Sequence, residues 1–168
     1  MAAKYMRKVI LQIPDDPRLL VAVAHVALRH SQLLYVLRLA MKLIDHIDHD
    51  QALNATRKMG AAPLFKHVRQ RAYLRFGPGA AFEGLRDLLD RAETITGQRN
   101  RLIHDVWATT KDGTPVIRDD VTSNLKQLPT PSELEALADN IARLTSEING
   151  ARLKGFLHKA DLRDEVTG

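Results

Sequence analysis

Residues 17–47 read PRLLVAVAHVALRHSQLLYVLRLAMKLIDHI and predict one long helix. Asp16 can cap its first turn, and Pro17 suits a position where no amide donor is needed. Apolar residues recur at helical spacing along it, namely Leu20, Val23, Ala27, Leu34, Leu37, Met41 and Ile44. A second set extends the apolar character, namely Val21, Leu28, Val36, Leu39 and Leu43. A helix that is apolar on more than one side is buried centrally or shared between subunits.

The remainder of the chain predicts shorter elements around this helix. Helical patterns cover residues 50–59, 62–76 and 80–107, and Thr130 with Pro131 opens a last helix that ends near Gly150. Residues 108–120 predict a β-hairpin because Lys111-Asp112-Gly113-Thr114 is a turn signal. Residues 4–13 alternate weakly, as a strand does.

These elements predict an all-α fold, an up-and-down bundle of about four to five helices with one small β-hairpin. The 168 residues suit a single domain over residues 1–168, with its core over 17–150 and a polar, frayed tail over 151–168. Apolar residues make up 45% of the chain and charged residues 27%, which excludes disorder for the chain as a whole. The chain has no cysteine, so disulfides, thiolate catalysis and zinc–thiolate sites are excluded.

The sequence also predicts where the protein acts. The apolar run Val9–Leu11 is too short for the core of a signal peptide. The longest apolar stretch, Leu19–Leu28, ends at Arg29 and His30 and is shorter than the about 20 apolar residues that a membrane span needs. We therefore expect a soluble, cytoplasmic protein with no membrane partner.

Positive charge is concentrated in one segment. The net charge is +5, and residues 51–82 contain only basic residues among their charged side chains. Clustered positive charge is the pattern expected for a polyanion partner. The alternative interpretation of such a run is a solvated helix face. The candidate RNA-binding residues are Arg57, Lys58, Lys66, Arg69, Arg71 and Arg75.

An arginine interrupts the apolar stripe of the predicted helix over residues 80–107. At about 100° per residue, the stripe passes through positions 92, 95, 99, 102 and 106, so position 99 faces the core. An unpaired guanidinium there costs several kcal/mol, so Arg99 must find an anion or a wet cleft. A charged residue at a core-facing position of an otherwise regular amphipathic helix often marks a functional site.

Three residues follow Arg99 on one flank of the same predicted helix. Asn100 and His104 are one turn apart, and Trp107 comes three residues after His104. His104 lies about 140° around the helix from Arg99, but a long arginine can reach a ligand bound near it. The helix therefore presents a cation on its buried face and an amide and an imidazole on its flank.

This pattern resembles the R-x4–6-H motif of the HEPN (higher eukaryotes and prokaryotes nucleotide-binding) family, in which Asn is a frequent second residue. The motif here is Arg99, Asn100 and His104, late in the chain on a helix. The predicted helical layout over residues 17–150 also looks like a HEPN bundle. The resemblance therefore extends from the motif to the surrounding fold.

The resemblance implies a specific activity. Many HEPN domains are homodimers whose motifs meet at the subunit interface and cleave RNA without a metal or another cofactor, by attack of the 2′-hydroxyl on the adjacent phosphate. His104 would act as general acid or base, Arg99 would stabilise the charged phosphate, and Asn100 would orient His104 or a phosphate oxygen. Such proteins occur in toxin–antitoxin or defence systems, which implies an antitoxin or a nucleotidyltransferase as a protein partner.

Other interpretations of these residues stay open. Arg99 can instead pair with an acid such as Glu93, and His104 can simply pack. The protein is then a catalytically silent HEPN-like domain that binds nucleic acid or nucleotide, or a helical partner-binding protein. His46 and Asp50 share a helix face, but polar residues are expected at that helix end, so we assign no metal site. His25 and His30 are interpreted as histidines that are hydrogen-bonded within the fold or that lie at an interface.

Overall fold

The longest helix, α1 (Pro17–Asp45), begins at the predicted cap. The Asp16 carboxylate accepts hydrogen bonds from the backbone amides of Arg18 and Leu19, at 3.0 and 3.2 Å. At the other end His46 adopts the left-handed conformation, with φ of 51°, and stops the helix slightly before the predicted end. The structure, a computed structural model, describes residues 10–119, 122 and 124–167.

The described residues form a mainly α fold in which a small antiparallel sheet lies between two long helices in the chain order. The further helices are α2 (His49–Thr56), α3 (Ala61–Phe76), α4 (Ala80–His104), α5 (Pro131–Leu153) and α6 (Phe156–Thr167). The strands are β1 (Val106–Thr109), β2 (Pro115–Arg118) and β3 (Leu125–Gln127). The Thr130 side chain and Glu133 form the capping box of α5, with Pro131 in the first turn as predicted.

Helix α1 is the centre of the bundle, because it contacts each of the other helices. Its buried stripe is shifted by one position from the predicted one in the first half of the helix. Leu19, Val26 and Leu33 are buried, whereas Leu20, which was predicted to be core, is 41% exposed. Because this helix is apolar on several sides, its periodicity alone does not determine which side faces the core. Packing against α5 decides it.

By length and composition alone, α1 also meets the criteria for a membrane-crossing helix, with a mean hydropathy of 1.4 over its most apolar window. Such a criterion is also met by the central helix of a helical bundle. The buried side of α1 contains His30 beside apolar residues, and it packs against protein on that side.

The predicted hairpin is confirmed and extended. β1 pairs antiparallel with β2, so that Trp107 lies opposite Ile117, and Gly113 in the turn has φ of 85°, which glycine adopts without strain. β3, which was not predicted, pairs with the free side of β2. Ile10 bridges to Thr109 through two backbone hydrogen bonds of 2.8 and 2.9 Å, while residues 4–9 of the predicted strand lie outside the described residues.

The predicted frayed tail is wrong, because residues 151–162 pack onto the bundle. α5 continues to Leu153, and α6 buries Leu157 completely. The ring of Phe156 lies so close to α4 that a Cβ atom on Gly84 would be 3.0 Å from it. The Asp161 carboxylate accepts from Arg75 at 3.1 Å. The two adjacent apolar residues at the start of α6 anchor a segment whose later residues are mostly polar.

Candidate functional site

The motif residues lie in the last turns of α4, which ends sooner than predicted. The helix stops at His104, and Asp105 is extended, with φ of −67° and ψ of 151°. The indole N–H of Trp107 donates to the backbone carbonyl of Leu102 at 2.9 Å and satisfies a terminal acceptor. Trp107 therefore belongs to β1 and does not extend the flank that carries Asn100 and His104, which corrects the sequence prediction.

Arg99 occupies the inward slot that the helical pattern predicts. It is half-buried, and its Nε atom is buried without a hydrogen-bond partner among the described residues. One terminal nitrogen, Nη1, donates to Oδ1 of Asn100 at 3.1 Å. The side chain therefore begins on the core side of α4 and reaches the flank where Asn100 lies. The possible pairing with Glu93 is not formed, because Glu93 accepts from Arg69 at 3.2 Å.

A buried histidine of α1 lies beside Arg99. His30 is 4% exposed, and its Nε2 atom shares a hydrogen bond of 2.9 Å with Oγ1 of Thr96, one turn before Arg99. Burial lowers the pKa of His30 to about 4, and the positive charge of Arg99 contributes to the same shift. His30 is therefore a neutral, satisfied core histidine at neutral pH, as one of the two sequence interpretations proposed.

The position of His30 beside the motif was not predicted. Val26, His30, Leu33 and Leu37 form one helical stripe, so the sequence does contain a signal that His30 faces the core. It does not contain the information that this part of α1 meets Thr96 and Arg99, because that contact joins residues far apart in the chain.

Asn100 and His104 are both exposed on one flank of α4. They are one turn apart, and the His104 imidazole makes no hydrogen bond or ion pair with another residue in the part of the chain that the structure describes. An exposed imidazole at a helix end is free to meet a ligand or a second protein surface. The described geometry thus brings Arg99 and Asn100 into contact and leaves His104 open beside them.

The basic segment is less uniformly positive in three dimensions than in the sequence. Arg69 donates to Asp90 at 2.7 Å, Arg71 to Asp45 at 2.7 Å, and Arg75 to Asp161 at 3.1 Å. The acids belong to α4, α1 and α6. Acidic residues from outside residues 51–82 therefore neutralise the positive charge of these arginines. Arg57, Lys58 and Lys66 are exposed. Three aromatic residues lie in the same segment: Phe65 is buried, Phe76 packs against the core, and Tyr73 is half-exposed.

The histidines near the end of α1 have protein partners. His46 Nε2 lies 3.2 Å from a carboxylate oxygen of Asp161, and His49 Nε2 lies 3.5 Å from the hydroxyl of Tyr35. His46 thus helps to hold α6 against α1. Within residues 10–119, 122 and 124–167 no group of three or more potential metal ligands comes together.

Apolar side chains are exposed both beside the motif and on α1. A groove of about 460 Å³ beside the end of α4 is lined by Ile103, Trp107 and Leu20 together with residues 11–13. On α1 itself, Val21, Leu28 and Tyr35 are 56%, 65% and 43% exposed and recur every seven residues. Such spacing forms a continuous stripe along one side of a helix. Helix α1 is therefore apolar on an exposed side as well as on its buried side, as its sequence indicates.

Comparison of the chain with family models, with curated proteins and with solved structures gave no match.

Proposed function

We propose that the protein is a metal-independent endoribonuclease of the HEPN type that acts as a homodimer. The observation that carries the proposal is the hydrogen bond from Arg99 Nη1 to Asn100 Oδ1, one turn before the exposed His104. It turns a guanidinium that starts on the core side of α4 towards the flank of the imidazole. A phosphate held by Arg99 would therefore lie near His104.

Each residue then has a chemical role in the cleavage step. An imidazole takes the proton of the 2′-hydroxyl while the 2′-oxygen forms a bond to phosphorus. The bond from phosphorus to the 5′-oxygen breaks, and that oxygen receives a proton from an acid. Arg99 stabilises the extra negative charge on the phosphate oxygens during transfer. The products are a 2′,3′-cyclic phosphate and a 5′-hydroxyl.

A two-fold dimer would supply both proton-transfer groups. One copy of His104 can act as the base and the other as the acid if the two α4 ends face each other. The stripe of Val21, Leu28 and Tyr35, continued by the groove beside Ile103, is the apolar surface that such an interface would bury. The neutral His30 supports Arg99 from the core without adding a competing positive charge.

Cleavage of a labelled single-stranded RNA in the presence of EDTA tests the proposal. We expect the wild type to leave ends blocked by a cyclic phosphate, and His104→Ala to reduce the rate by about a hundredfold or more. His158→Ala is the matched control, because it also removes an imidazole but lies on α6. Absence of cleavage by the wild type, or metal-dependent cleavage with 3′-hydroxyl products, would contradict the mechanism.

Sedimentation at micromolar concentration tests the assembly separately. We expect about twice the chain mass of 18.8 kDa for the wild type. Leu28→Glu should dissociate the dimer, because it puts a charge into the exposed stripe on α1. Leu74→Glu is the matched control, since Leu74 is 73% exposed on α3. A monomeric wild type that still cleaves RNA would exclude a composite site.

A further inference from the structure

A cavity of about 640 Å³ lies on another side of α4, between this helix, α5 and the small sheet. Apolar side chains line part of it, including Leu102, Ile117 and Leu134, and three amides from three different elements line another part, namely Gln98, Gln127 and Asn140. Small-molecule sites have volumes of about 300–1,000 Å³ and combine apolar walls with a few polar groups. The size and the lining therefore suit one nucleotide.

Asp105 gives this cavity its chemical character. It lines the cavity and is only 9% exposed, yet among the described residues its carboxylate has no hydrogen bond or ion pair. The other acid of the lining, Glu133, is occupied by Thr130, whose backbone N–H and hydroxyl donate to it at 2.7 and 2.8 Å. The Asp105 carboxylate oxygens keep some contact with solvent, so they are open to a ligand that brings N–H groups.

Two basic residues also line this cavity. Arg101 is exposed, its Nε donates to the backbone carbonyl of Gly97 at 3.4 Å, and it has no carboxylate partner among the described residues. Lys126 on β3 also lines the cavity, although its Nζ lies 3.4 Å from a carboxylate oxygen of Asp119. A ligand that has both N–H donors and a phosphate would satisfy Asp105 and Arg101 together.

We propose that this cavity binds a guanine nucleotide, with Asp105 accepting the two adjacent N–H groups of the base and Arg101 holding the phosphate. Guanine presents N1–H and the N2 amino group side by side, and two parallel N–H···O bonds match a carboxylate as they do in arginine pairs. Unstacked bases in single-stranded RNA are recognised on this same edge. Adenine, cytosine and uracil each lack that pair of donors.

The cavity is adjacent to the proposed catalytic flank. Arg101 and His104 are three residues apart and are neighbours on the surface of α4, while Asp105 follows His104 directly. Arg101 thus lines the cavity and is also one turn away from His104. The role of the cavity as a subsite for a guanosine next to the cleaved phosphate rests on the proposed ribonuclease function. Its binding of a free guanine nucleotide does not depend on that function.

Calorimetric titration with 5′-GMP, 5′-AMP, 5′-CMP and 5′-UMP tests the site without any cleavage. We expect 5′-GMP to bind at least about tenfold more tightly than the others and Asp105→Asn to abolish that preference at an unchanged melting temperature. Asp50→Asn is the matched control, because it makes the same charge change on exposed α2. Arg101→Gln should weaken the binding of 5′-GMP but not the binding of guanosine, which has no phosphate. Equal affinity for the four nucleotides, or an unaffected preference in Asp105→Asn, would overturn the proposal.

Cleavage of an RNA that contains a single guanosine tests the subsite. We expect cuts beside that guanosine in the wild type and dispersed cuts in Asp105→Asn. Cuts that ignore the guanosine would overturn the subsite while leaving the ribonuclease function intact. Selective 5′-GMP binding by a protein that cleaves no RNA would count against the ribonuclease function and would support the guanine site.

Discussion

Arginine is used in two different ways in this molecule. In α3, Arg69, Arg71 and Arg75 each donate to a carboxylate from another helix. In α4, Arg99 has no carboxylate partner among the described residues and instead donates to an amide oxygen. A phosphate can bind to a guanidinium without first displacing an acid only in the second case. The density of basic residues in the sequence therefore does not identify the arginine that is available to an anion.

The largest expected effect comes from removing the arginine that lacks an acid. Arg99→Ala should lower the rate of RNA cleavage about thirtyfold to a thousandfold, because it removes about 2–4 kcal/mol of transition-state stabilisation. The melting temperature should stay near that of the wild type, because no ion pair is broken. Cleavage assays and thermal melting on the same protein check both parts.

The matched variant for this experiment is Arg71→Ala. It should keep its cleavage rate and lose about 1–3 kcal/mol of stability, because it leaves the Asp45 carboxylate, which is 15% exposed, without its ion-pair partner. The opposite result, with an active but destabilised Arg99→Ala, would show that Arg99 has a structural role only.

The second prediction concerns the neutral histidine beside Arg99. The pKa of His30 is about 4 in the fold and 6.5 for a histidine in its ordinary state, so the unfolded chain binds this proton first as the pH falls. The free energy of unfolding is therefore unaffected by this proton above about pH 6.5. It decreases by about 3 kcal/mol as the pH falls from about 6.5 to 4.

Urea unfolding of the wild type and of His30→Gln across this pH range measures that decrease. The variant should lose less stability on acidification than the wild type. Parallel losses in the two proteins would assign the acid sensitivity to other groups.

The third prediction concerns the ion pairs that hold α6. Asp161 accepts from Arg75 and lies 3.2 Å from His46, and its side chain is 15% exposed. Asp161→Asn should reduce the free energy of unfolding by about 1–3 kcal/mol, because it leaves partly buried donors with a weaker acceptor. Hydrogen exchange should show the loss of protection concentrated in α6. Asp139→Asn, at a pair with a 70% exposed carboxylate, should change stability by less than about 1 kcal/mol.

The smallest expected effect separates the exposed and the paired cations of the basic segment. Arg57, Lys58 and Lys66 are exposed and have no ion-pair partner among the described residues. Replacing these three by Gln should reduce the salt slope of RNA binding by up to about 2, because each phosphate contact contributes about 0.7. Replacing the paired Arg69, Arg71 and Arg75 by Gln should change the slope less and the melting temperature more. Equal slopes for the two triple variants would mean that pairing within the fold does not limit RNA binding.

Local signals predicted most of the helices and the hairpin. Asp16 and Thr130 cap helices where their sequence positions indicate, and Gly113 forms the turn of the hairpin. These features depend on residues within one or two turns, so the sequence contains the whole cause. α6 was missed because its anchoring depends on Leu157 entering a core made by other helices.

The sequence by itself determined that Arg99 faces inward and that Asn100 and His104 share a flank, because helical geometry relates residues a few positions apart. Only the tertiary structure decided that His30 stands beside Arg99, that acids neutralise Arg69, Arg71 and Arg75, and that Asp105 lines a cavity. The physical reason is the same in all three cases. Each depends on which helix faces are packed together, and on a helix such as α1, with apolar residues on several sides, periodicity leaves that choice open.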